Sequence, residues 1–152
     1  MIKEISSPER RQEVSELLLE IWKSAVSATH LFLTAGDIDR MIPEVKAGIH
    51  HIEHLFIYIA DDSIHGFIGI ADEQIEMLLV DDRSRGEGIG KALVTFVLEE
   101  LNVKYVDVNE QNEQGAGFYE HLGFVVKKRD ELDAQGRPFP ILHLEIGPDI
   151  KS

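Results

Sequence analysis

Cysteine is absent from this chain, and that gap closes several chemical routes at once. Disulfides, thiolate metal sites and a cysteine nucleophile are excluded, and a cytoplasmic location is the simplest expectation. Long apolar runs are missing too: nothing approaches the ~20 residues of a membrane span, and the start MIKEISSPERRQEV has no signal-peptide core. No GxSxG elbow presents a serine nucleophile. Cations are scarce, with 15 Lys and Arg against 28 Asp and Glu and a net charge of −13. Such a field repels nucleic acid and anionic membranes, so neither is expected as a partner. What is present suits a single globular domain over residues 1–152, with 43% hydrophobic and 28% charged residues.

Ile2 to Ser6 reads as a short strand, and Ser7-Pro8 as the start of a helix reaching Ala28 on an apolar stripe of Val14, Leu17, Leu18, Ile21, Trp22 and Ala25. Asp37 can cap a second helix, with Pro43 in or near its first turn. LFIYIA (55–60) and IHGFIGIA (64–71) form a hairpin through Asp61, Asp62 and Ser63, and Ile75 to Val80 extends the meander. A helix then leads to a strand at Val103 to Asn109, parallel to Ile75 to Val80 because a helix joins them. A short helix (Gln114 to His121), a strand from Phe124 to Lys127, a polar loop (Arg129 to Pro138) and a last strand (Ile141 to Ile146) follow. The order gives an α/β (α+β) fold with a mixed sheet and helices on both faces.

The stretch IEMLLVDDRSRGEGIGKALVTFVLEEL (75–101) organises the rest. Gly86, Gly88 and Gly90 stand at the mouth of a helix, with Arg83, Arg85 and Lys91 beside them, so bare backbone N–H groups meet the positive end of a helix dipole. That is an anion site suited to phosphate. A Walker loop needs four residues between its first glycine and GK[ST]; Gly86 to Gly90 leaves three, and Ala92 stands where Ser or Thr would hold magnesium. A dinucleotide fingerprint needs GxGxxG, whereas the chain has GxGxG after a meander.

The third pattern, Arg85-x-x-Gly88-x-Gly90 after the strand Leu78-Leu79-Val80-Asp81, resembles the pyrophosphate loop of the GCN5-related N-acetyltransferases, the GNAT superfamily. Asn112 and the segment NEQGAGFYEHLGF resemble the second signature of that family, with Gly115 at its usual alanine and Asp82 at its frequent proline. ATHLFL, VNEQN and RPFPILHL narrow the likeness to small bacterial acetyltransferases.

The resemblance implies a mostly antiparallel central sheet with a splayed parallel strand pair, acetyl-CoA as cosubstrate and no metal. Leu78, Leu79 and Val80 would bulge and offer backbone groups to the pantetheine and thioester. Arg85, Gly86, Glu87, Gly88, Ile89, Gly90 and Lys91 would wrap the pyrophosphate, Asn112 and Phe118 would lie beside the cofactor, and Tyr119 would be the general acid. Glu76 is the first candidate for general base, with Glu110 and His30 behind it. Trp22, Thr29, His30, Phe32 and Phe139 are candidates for the acceptor wall, and Asp130, Glu131 or Asp133 would favour a cationic amine if turned inward.

The implied reaction is acetyl transfer to a primary amine, of a small molecule or a protein, by direct attack in a ternary complex. A homodimer is a further possibility by family analogy. Two other readings stay open: a CoA-binding module without turnover, and a zinc hydrolase using His50 and His54 of the HHIEH string, with Glu53 as base.

Overall fold

Ser7 and Pro8 begin the first helix as the sequence requires. The Ser7 side chain accepts from the Arg10 backbone N–H at 3.2 Å, and Pro8 takes the first helical turn, where its missing donor costs nothing. In this computed structural model, which describes residues 1–148, α1 runs Pro8–Thr29. Leu18, Ile21, Trp22 and Ala25 of its stripe are buried, but Leu17 is turned outward and 57% exposed. The second helix, α2 (Ala35–His51), is capped by Thr34 rather than Asp37. Asp37 stands at the third helical position and accepts from the Thr34 N–H at 2.9 Å while donating its own N–H to the Thr34 hydroxyl, a capping box. Pro43 consequently falls inside the helix and not in its first turn.

The chain divides into two compact units, Met1–Val103 and Lys104 onward. In the first, β1 (Ile2–Glu4), β2 (His54–Ala60), β3 (Ser63–Ala71) and β4 (Gln74–Val80) pair antiparallel in that order. Asp61, Asp62, Asp72 and Glu73 all have φ between 49 and 69°, the left-handed geometry that two-residue hairpin turns demand. Alternation on β2 serves two cores. Leu55 and Ile57 join Leu18, Trp22 and Ile49, while Phe56 meets Phe96 of α3 (Ile89–Leu101) edge to face at 5.1 Å. Helices therefore cover both faces of this sheet.

One buried cation ties the α1–α2 side together. Arg11, 6% exposed, donates from Nε to the Ile5 carbonyl at 3.0 Å and from its two terminal nitrogens to the carbonyls of His50, Ile52 and Glu53. It carries positive charge to the negative end of α2 and gives the last carbonyls of that helix a partner.

In the second unit β5 (Tyr105–Asn109), β7 (Ile141–Ile146) and β6 (Phe124–Asp130) pair antiparallel in the order β5-β7-β6. Val106, Val108, Leu144 and Phe124 are buried together with Ala116 and Tyr119 of α4 (Glu113–His121). β6 runs to Asp130, three residues past the expected end, so the polar loop starts later than Arg129. Across the three strands His143 joins two carboxylates, Nδ1 to Asp107 and Nε2 to Asp130, both at 2.7 Å. Burial alone would lower the His143 pKa, but the bonds to Asp130 and Asp107 outweigh it and raise it above 6.5; the bond to His143 holds Asp130 below 3.8.

Two outcomes follow for stability. Arg11→Met leaves the four carbonyls without their donor and should cost about 3 kcal/mol, lowering Tm by roughly 10 °C; an unchanged melting curve refutes the clamp. The raised His143 pKa gives a contribution full below 6.5 and lost as pH rises through the folded value, while that of Asp130 is present above 3.8 and lost as pH falls through its folded value. His143→Gln should therefore lower Tm at pH 5.5 and much less at pH 9, and an equal loss at both rules the ion triad out.

Candidate active site

Among the described residues, three of the four α-helices close their first turn with a side chain: Ser7 for α1, Thr34 for α2, Asn112 for α4. α3 does not. Its N-cap is Gly88, at φ 80°, with no side-chain bond and no acidic residue in the first turn. Gly86 is also left-handed, at φ 82°, and at both glycines the space a Cβ would occupy is empty within 4 Å. The glycines thus serve backbone geometry and an open approach, leaving the first-turn N–H groups bare for an anion. Arg85, Gly86, Glu87, Gly88 and Lys91 are exposed, Gly90 is half-buried, and Ile89 is buried and anchors the turn. Gly66 of β3 permits that anchoring, since a Cβ there would lie 2.9 Å from the Leu79 carbonyl oxygen and 3.2 Å from the Ile89 side chain.

The shoulder of the loop joins Asp81 and Arg83 to Ser24 and His65, which the sequence did not single out. Asp81, buried at the end of β4, accepts from the Arg83 N–H at 3.1 Å and from its guanidinium at 3.2 and 2.9 Å. The Arg83 hydrogen bond, more than its charge, holds the Asp81 carboxyl below its ordinary range against the opposing effect of burial. Ser24 of α1 donates to Asp81 at 3.4 Å and accepts from the Asp82 N–H at 3.2 Å. His65 of β3 binds the buried Ser84 hydroxyl through Nδ1 at 2.7 Å and donates from Nε2 to the Ala60 carbonyl at 2.9 Å. An acidic residue closing an apolar strand just before the Arg-Gly run was the only local signal; Ser24 and His65 reach it from far along the chain.

On β4, Leu78, Leu79 and Val80 pair regularly with Ile68, Phe67 and Gly66, and the register slips at Glu76, between Ile75 and Met77. In the pairing with β3 the irregularity is thus at Glu76. Glu76 is exposed. Glu110 is held by Arg129 at 2.6 and 2.9 Å, and the Arg129 hydrogen bond lowers its pKa, so it is a spent base.

In the second unit the Asn112 side chain accepts from the Gly115 N–H at 3.1 Å. A Cβ at Gly115 would run into the Asn112 side-chain amide, which accounts for glycine where the family usually has alanine. Phe118 packs edge to face on Tyr119 at 5.1 Å, and Tyr119 on Phe124 at 5.5 Å. Tyr119 is 7% exposed, and burial pushes its phenol pKa well above the ordinary value of 10. Its hydroxyl makes no hydrogen bond among the described residues, where no fully enclosed side-chain polar atom lacks a partner. The phenol oxygen is therefore open to the outside, protonated and uncommitted.

Of the acceptor-wall candidates, Thr29, His30 and Phe32 are half-buried at the end of α1 in the first unit, and Phe139 is half-buried in the second. Trp22 is a core residue, 5% exposed in the α1–α2 cluster, and offers no wall. Asp133 is taken by Arg137 at 2.7 Å and Asp130 by His143, so neither carboxylate is left over for an amine. The zinc reading fails on geometry: α2 ends at His51 and His54 begins β2, so His50 and His54 are not one turn apart on a helix. His54 instead binds Glu4 at 3.1 Å.

Among the described residues no helix is long and apolar enough to cross a membrane. A family model described as the acetyltransferase (GNAT) domain matches residues 38–140. The peptidyl-lysine N-acetyltransferase YjaB of Salmonella typhimurium is 37% identical over 135 residues, which cover 88% of this chain and 92% of that one. The solution structure of apo YjaB from Escherichia coli superposes with a TM-score of 0.83 at 34% identity, covering 95% of this chain and 97% of the other. The PaiA N-acetyltransferase of Thermoplasma acidophilum, solved with coenzyme A, shares the fold at a TM-score of 0.63 and 20% identity, covering 94% and 98%. An uncapped glycine-led helix, an uncommitted phenol and these matches lead to one assignment: the chain belongs to the GNAT family and is an acetyltransferase.

Proposed function

We propose that the protein moves the acetyl group of acetyl-CoA to the side-chain amine of lysine in a protein substrate, by direct attack in a ternary complex. The observation that carries the cofactor half is the bare first turn of α3 behind two left-handed glycines. The acceptor half draws support from the peptidyl-lysine specificity in the name of the Salmonella relative and from a net charge of −13, which attracts lysine-rich segments. The family match runs from residue 38 to 140, through both units, and supports reading them as one acetyltransferase domain. The same reading places the protein in the cytoplasm, beside its cosubstrate.

In this reading the N–H groups from Gly86 to Lys91 hold the pyrophosphate and the backbone of Leu78 to Val80 takes the pantetheine arm. The Asn112 oxygen is already used within its cap, which leaves its amide NH₂ to the cofactor. Bound acetyl-CoA supplies the activated thioester. Attack by the amine expels a thiolate, and Tyr119 meets it as a donor that stays protonated across the working pH range because burial has raised its pKa.

Calorimetry should show binding of acetyl-CoA and CoA but not NAD, and loss of about tenfold in affinity for Gly88→Val, where a β-branched residue is forced to positive φ. Tyr119→Phe should lower kcat about 100-fold with acetyl-CoA affinity unchanged. Absence of binding to either CoA species refutes the cofactor reading, and an unchanged kcat in Tyr119→Phe removes Tyr119 as the acid.

A further inference from the structure

The chain has seven histidines, and their hydrogen bonds sort them. His65 and His143 spend both ring nitrogens inside the fold. His54 is bound to Glu4, and His50, His51 and His121 close the last turns of α2 and α4. His30 differs. Its Nδ1 lies 2.8 Å from the Thr29 hydroxyl oxygen, and that hydroxyl lies 2.7 Å from the Ala25 carbonyl.

A hydroxyl has one proton, and a carbonyl can only accept. The Thr29 proton therefore goes to Ala25, and the proton between Thr29 and His30 must be on Nδ1. In neutral His30 the lone pair is consequently on Nε2. That nitrogen has no partner among the described residues, where no fully enclosed polar side-chain atom is left unpaired, so it faces open space. The Phe32 ring, 5.4 Å away and tilted by 48°, packs beside the imidazole. Burial holds the His30 pKa below 6.5, with no neighbouring charge acting on it, so the ring is neutral at pH 7.

α1 also sets its place. Ser24, six residues earlier, is bonded to Asp81 and Asp82 where β4 ends, and six helical residues advance about 9 Å. Of the competing bases, Glu110 is tied to Arg129 and Glu76 is exposed on β4.

We infer that His30 is the general base of the acetyl transfer, its Nε2 taking a proton from the lysine ammonium of the acceptor. This rests on the acetyl-transfer reading above. The freed amine nitrogen attacks the thioester carbonyl carbon, the C–N bond forms, and the C–S bond breaks with its electron pair on sulfur. The nitrogen sheds a second proton as the amide forms, which balances the one taken up by the thiolate through Tyr119. His30 then returns its proton to solvent, so the net products are the acetylated lysine, CoA and one proton.

The test uses the full chain with acetyl-CoA and poly-L-lysine, following thiol release against pH. His30→Gln should lower kcat about 100-fold, abolish the acid limb of the wild-type profile and leave acetyl-CoA affinity by calorimetry unchanged. Thr29→Val, which removes the acceptor for Nδ1–H, should give a smaller loss. ¹⁵N NMR of wild-type His30 should report the Nδ1–H tautomer. Wild-type kcat and acid limb in His30→Gln, or an Nε2–H tautomer, overturn the assignment while acetyl transfer stands. Loss of acetyl-CoA binding in His30→Gln also overturns it, in favour of a structural role. A wild-type protein that binds acetyl-CoA but releases no thiol overturns both readings.

Discussion

The first unit depends on α1 being pinned at both ends. Near its start Arg11 is surrounded by four carbonyls from the end of β1, the end of α2 and the approach to β2. Near its end Ser24 bonds the turn that follows β4. Between the pins runs the apolar stripe that buries Trp22 and its neighbours. Because the helix is fixed this way, the turn after β4 and His30 are both held to one helix. Neither pin is an ion pair. Arg11 uses a planar fork of donors that lysine could not reproduce, and Ser24 uses one hydroxyl as donor and acceptor together.

The electrostatics of the loop differ from what residue counting suggests. Arg83 and Arg85 read as the local positive charge in an acidic chain, yet Arg83 is bound to Asp81 and Arg85 makes an ion pair with Asp82 at 3.2 Å. Their charges are largely balanced at short range. What stays uncompensated is the backbone: a helix start without a cap, led by glycines whose φ no ordinary side chain favours. The positive character of the loop therefore lies mainly in backbone geometry, with Lys91 as an exposed supplement.

Legibility in the sequence followed range. Features decided within a few residues were readable: the Ser7-Pro8 start, the Asp61-Asp62 turn, the glycine bend, and Asn112 before a helix. Asp37 was misjudged only in rank, as the third residue of a capping box whose Thr34 cap comes earlier. What could not be read was what distant residues do to one another. Arg11 lies seven residues before Leu18, on the buried stripe, but a charge there reads as solvated until four carbonyls converge on it. The same holds for Glu110, whose value as a base disappears once Arg129, nineteen residues on, is placed beside it. Trp22 looked like a wall because aromatic residues serve both core and pocket, and only packing tells them apart.

β6 ends the strand order β5-β7-β6, and its Val125 and Val126 are 49% and 40% exposed. An outer strand with apolar residues is a template on which another chain can add itself. Here Lys127, Lys128 and Arg129 follow at once, and the register slips between Val126 and Lys128. Two copies brought edge to edge would set Lys127 near its counterpart and meet a ladder already out of step, while Lys128 and Arg129 are paired with Asp130 and Glu110. The slipped ladder and this lysine thus guard the β6 margin against fibrous self-assembly and keep it from becoming a seed.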